Sequence, residues 1–113
     1  MAMSRDMKVQ AATASTTQTQ VGGTILNGDY VVATVANASD AFTIPANLPT
    51  GTIFFIVGGA NAGLIYPPTG GAINGGTANA SKPLDASVVH MVCVTAGGSA
   101  STYRINKLAA LSA

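Results

Sequence analysis

The sequence predicts an all-β fold: a single antiparallel β-sandwich, jelly-roll-like or closed into a small barrel, with an extended N-terminal arm. Its 113 residues suffice for one domain around one core and are too few for two. From Val21 onward, short apolar runs alternate with Gly, Pro, Asn and Asp, the pattern of strands joined by turns. Before Val21 that pattern is missing. The chain therefore divides into an arm, residues 1–20, and a β domain, residues 21–113.

The arm carries Arg5, Asp6 and Lys8, followed by the polar tract AATASTTQTQ. Only Met7 and Val9 offer side chains large enough to grip a core, so the segment reads as a leader or a docking arm ordered by a partner. Its threonines favour a strand once something pairs with it.

In the domain, the run 30–35 is a strand, preceded by Asn27-Gly28, a tight-turn pair because both residues tolerate positive φ. Residues 42–44 form a short strand stopped by Pro45. Residues 52–57 are the most apolar run, with Ile53, Phe55 and Val57 on one face and Phe54 and Ile56 on the other. Residues 64–66 form another short strand, closed by Pro67-Pro68. Ile73 leads into Asn74-Gly75-Gly76, a second turn. Residues 88–95 and 102–105 complete the strands, and the tail 107–113 is a helical turn or a loose end.

Both faces of 52–57 are apolar, and so are those of 88–94 apart from His90. A sheet with one wet face alternates apolar and polar residues. One face of these strands therefore belongs to the core, and a neighbouring subunit is the economical cover for the other.

Charged residues make up 8% of the chain, against roughly a quarter in an ordinary soluble domain. Hydroxyls and amides supply the polar surface instead, and neutral groups are cheaper to desolvate against a partner than ions. The net charge is +1 with no basic stripe, which argues against nucleic acid. No apolar run approaches the length of a membrane helix, and MAMSRDMKVQ has no signal-peptide core. Synthesis in a cytoplasm is the expectation. The single Cys93 has no intrachain disulfide partner.

Catalytic chemistry finds few residues. There is no Glu, and Asp6, Asp29, Asp40 and Asp85 lie in the arm or near turns, where Asp bonds neighbouring backbone N–H groups. His90 and Cys93 are three apart on one strand and so point to opposite faces, out of reach as a nucleophile–base pair. Cys93 reads as a small buried hydrophobe and His90 as a satisfied group at a core edge or subunit contact. The stretch GGAINGG, residues 70–76, lacks the Lys-Ser/Thr of a phosphate loop and reads as turn glycines. No catalytic, cofactor-binding or metal-binding residue is expected, and no enzyme.

The segment LIYPPTGGAINGGT, residues 64–77, resembles a recurring pattern in small structural proteins of tailed bacteriophages. There a strand ends in aromatic-Pro-x-x-Gly and runs into Ile-Asn-Gly. FTIPANLPTGTIFFIVGGAN, residues 42–61, and the stretch 80–95 are similar to the strands on either side. Tyr103 stands in the region where related sequences often carry Trp. The resemblance, to capsid decoration (cement) and head-fibre proteins, implies an all-β virion subunit. It implies a homotrimer bound to the major capsid protein at the capsid surface, stabilising the shell. The competing expectation is a receptor- or glycan-binding module of a head or tail fibre, for which Tyr30, Tyr66 and Tyr103 are the aromatic candidates.

Overall fold

A computed structural model describes residues 7–98 and 100–108. Among them are ten strands and no helix: β1 (Val9–Thr13), β2 (Thr24–Ile25), β3 (Tyr30–Thr34), β4 (Ala41–Thr43), β5 (Ile53–Val57), β6 (Leu64–Tyr66), β7 (Ala72–Ile73), β8 (Lys82–Pro83), β9 (Val89–Ala96) and β10 (Thr102–Lys107).

The first six strands alternate between two sheets. β1, β3 and β5 are parallel neighbours in one sheet, and β2, β4 and β6 are parallel neighbours in the other. The chain thus winds as a flattened coil, each turn laying one strand on each sheet; one turn carries it from Val9 to its partner Tyr30, the next from Tyr30 to Phe55. After β6 the coil gives way to other pairings. β8 runs antiparallel on β6, and Pro83 is tolerated there because β8 is an edge strand. β9 and β10 form an antiparallel hairpin between β5 and β7, giving the sheet orders β1-β3-β5-β9-β10-β7 and β2-β4-β6-β8.

This corrects the antiparallel sandwich, jelly roll or barrel read from the sequence. The sheets are mixed, and most neighbours in the first half of the chain are parallel. Apolar runs and turn residues mark where strands begin and end. They do not say whether a turn folds the next strand back beside its predecessor or carries it across to an opposite sheet. Asn27-Gly28 illustrates this. Neither residue has positive φ, and the pair forms a corner between sheets. Gly28 is there for closeness, since a Cβ would sit 2.7 Å from the Gln10 Cβ. Asn74-Gly75 does behave as read: φ is 53° and 72°, and the Gly76 N–H reaches the Ile73 carbonyl at 2.9 Å.

The extended arm is corrected as well, for the residues described. Positions 9–13 pair in full register with β3, and Ala12 and Ala14 are buried. Gln10 closes the end of the coil: its Oε1 accepts from the N–H groups of Asn27 (2.7 Å) and Gly28 (3.2 Å), while its Nε2 donates to the Ile25 carbonyl (3.2 Å). Backbone pairing and small buried alanines hold this segment where large apolar side chains are scarce. Met1 to Asp6 and the tail beyond Leu108 lie outside the described residues.

Between the sheets lies one core, with Phe42 and Ile65 from one side and Val31, Phe54, Ile56, Val92 and Ile105 from the other. Tyr103 is buried among them, its hydroxyl bonded to Ser101 Oγ at 2.8 Å. Because Phe42 and Ile65 face inward, Thr43 and Tyr66 face outward. There the chain covers itself: Thr43 Oγ1 donates to the Gln20 carbonyl at 2.7 Å, and the Tyr66 hydroxyl reaches the Gln18 carbonyl at 3.5 Å. Residues 18–20 therefore lie over the outside of the four-stranded sheet. The six-stranded sheet has no such cover among the described residues.

Candidate functional site

His90 and Cys93 sit on opposite faces of β9. His90 points inward and is 1% exposed, whereas Cys93 is half-buried on the outer face rather than in the core. The Asp85 N–H donates to His90 Nε2 at 3.2 Å, so the neutral ring carries its proton on Nδ1, which has no hydrogen-bond partner among the described residues. Burial lowers the His90 pKa, against the opposing pull of Asp85. With no nucleophile beside it, this ring is a core residue held neutral.

The aspartates serve the backbone or the surface. Asp29 accepts the Lys8 N–H at 2.9 Å. Asp40, 2% exposed, accepts the Asn37 N–H at 3.2 Å and the Gln18 amide at 3.1 Å. Asp85 forms an ion pair with Lys107 at 2.8 Å, which lowers its pKa, but both groups are more than half in water or close to it and the pair adds little to stability. Asp6 lies outside the described residues. No group of three or more His, Cys, Asp or Glu gathers around a common point among the described residues.

Two hollows stand out among the described residues. A cavity of about 100 Å³ lies at one end of the core between Leu26, Asp29, Pro45, Leu48 and Phe54, well under the roughly 300–1,000 Å³ of small-molecule sites. A shallow groove of about 280 Å³ runs along Gln20, Val21, Ile25 and Pro68 outside the four-stranded sheet. Neither brings together groups that do chemistry.

The feature that stands out is the outer face of the six-stranded sheet. Strand register sets its side chains in rows across the sheet. Val9, Tyr30, Phe55 and Met91 form one row, ending in Asn106 on β10. Ala11, Val32, Val57 and Val89 form the next. Ile53 and Cys93 begin a third, which ends in Arg104. Val9, Val32 and Ile53 are 64%, 43% and 50% exposed, while Phe55, Val57, Met91 and Cys93 are half-covered by their own neighbours.

The sequence anticipated this face in 52–57 and 88–94, and the structure assigns the sides: Phe54 and Ile56 go to the core, Phe55 to the outside. It missed the contribution of β1, read as an arm, and of β3. Adjacent valines at 31 and 32 were the available signal that β3 is apolar on both faces. Of the candidate sugar-binding aromatics, Tyr103 is buried and Tyr66 half-buried, which leaves Tyr30, set in the apolar row. No family model, curated protein or solved structure matches the chain.

Proposed function

We propose that the chain is a non-catalytic structural subunit of a bacteriophage particle, seated as a homotrimer on the outer capsid surface, where it ties neighbouring capsid subunits together. The observation that carries this reading is the apolar face of the six-stranded sheet, charged in its rows only at the Arg104 margin. Contiguous apolar patches of that kind mark interaction surfaces. The resemblance of residues 42–61 and 64–77 to phage decoration proteins supplies the setting. A multimer that touches several capsid subunits at once gains avidity of roughly 10²–10⁴ over a single contact, so weak individual contacts suffice to clamp a shell. No metal or cofactor takes part. The protein is made in the host cytoplasm and acts on the virion, with the major capsid protein as partner.

The test is co-sedimentation of the purified protein with undecorated capsids, followed by electron microscopy of the pellet. Saturable binding with added density at three-fold or quasi-three-fold positions is expected. Failure to bind capsids at micromolar concentrations, or measured catalytic turnover, would sink the proposal.

A further inference from the structure

We infer that the outer face of the six-stranded sheet is covered by further copies of this chain, their faces turned toward one another about a shared symmetry axis. The inference deepens the self-association part of the function proposed above and names the surface that carries it.

Area is the first argument. Each outward side chain of a sheet occupies a cell of about 4.8 by 6.6 Å, roughly 32 Å². The ten apolar positions of the three rows therefore span roughly 320 Å², already within the range of the largest apolar patch on a typical monomer. The bordering polar positions Thr13, Thr34, Arg104 and Asn106 raise the footprint to roughly 450 Å². Two copies then cover roughly 900 Å² as a flat projection, close to the ~1,000 Å² that a specific interface needs.

Chemistry is the second. Nothing charged stands in the rows except Arg104 at the margin, so a charged partner finds little to complement it, whereas an identical apolar sheet face matches in polarity. The other sheet provides an internal contrast, since residues 18–20 of the same chain cover its outside.

The experiment is analytical ultracentrifugation over a concentration series, run beside the rate at which a maleimide alkylates Cys93, the sole thiol and a member of the face. Multimers are expected, with alkylation slowing as they form. Val32→Asp, which puts a charge in the row shared with Ala11, Val57 and Val89, should weaken association by about 100-fold or more because burial leaves the carboxylate unpaired. Ile25→Asp, on the exposed edge strand of the other sheet, should leave association unchanged. The alkylation arm uses the unaltered protein and so does not depend on the folding of a variant. A protein that stays monomeric at the highest concentration overturns the inference, as do multimers in which Cys93 reacts at the monomer's rate. A monomer that still binds undecorated capsids overturns this inference and the homotrimer with it, and leaves the capsid-binding role standing. Multimers formed through this face that ignore capsids leave it standing and refute the decoration role.

Discussion

Phe54 and Phe55 are adjacent in sequence and alike in chemistry, yet β5 places one in the core and the other on the outer face. Truncating each to Ala should therefore have different consequences. Phe54 is 5% exposed and packs in the main core cluster beside the cavity at its end. A buried aromatic removes roughly 150–250 Å² from water, about 4–6 kcal/mol at 25 cal/mol/Å². Alanine retains part of that area, so Phe54→Ala should destabilise by about 3–5 kcal/mol, the usual range for such a truncation. The adjoining hollow leaves the neighbours little reason to close in. With an unfolding entropy near 2.1 cal/mol/K per residue, a chain of this length should lose roughly 13–21 °C in Tm.

Phe55→Ala should change the Tm of the monomer by only a few degrees and instead weaken association. The assay is thermal and urea unfolding of both variants, at concentrations where ultracentrifugation shows monomer, since association otherwise raises the apparent Tm. Equal losses of monomer stability for the two variants would refute the assignment of faces. So would a Phe54→Ala protein that melts like the parent.

Two further outcomes follow from polar groups at the edges of the core. The pKa of His90 is lowered by burial, so the unfolded chain binds its proton more readily than the folded one. Its stabilising contribution is complete above about pH 6.5 and is lost as pH falls from there through the lowered folded value. Urea midpoints should drop across that window and the drop should vanish in His90→Gln, whereas the Asp85–Lys107 pair acts only below the ordinary carboxylate range; an identical slope in the variant would discount His90. Gln10→Ala removes three contacts to the backbone at the end of the coil, and with water able to reach that end the loss should be about 1–2 kcal/mol. Amide hydrogen exchange should accelerate at Asn27 and Gly28 first, and unchanged protection at both would contradict the capping role.

Local sequence determined a good deal here. The runs at 30–35, 42–44, 52–57, 64–66, 88–95 and 102–105 each became a strand within a residue or two, because β-branched and aromatic residues bounded by Gly, Pro and Asn leave few alternatives. The turn at Asn74-Gly75 followed from the tolerance of those two residues for positive φ. The two apolar faces of β5 and β9 were legible from the lack of alternation, and so was the separation of His90 from Cys93. These are properties of neighbours along the chain, set by sterics and by the period of two.

Pairing between distant segments was decided only in three dimensions. Whether β3 lies beside β1 in parallel or beside β2 in a hairpin depends on which sheet each corner delivers the chain to. A corner and a hairpin use the same Gly, Asn and Pro. The tract AATASTTQTQ shows the same limit from the other side. It has no large apolar residue to announce a place in the core, yet β3 gives its backbone a ladder and the coil gives Ala12 and Ala14 a close-packed seat. Hydrogen bonding and close approach favour small residues without advertising them, which is why the first strand of this fold could be recognised only once its neighbour was in position.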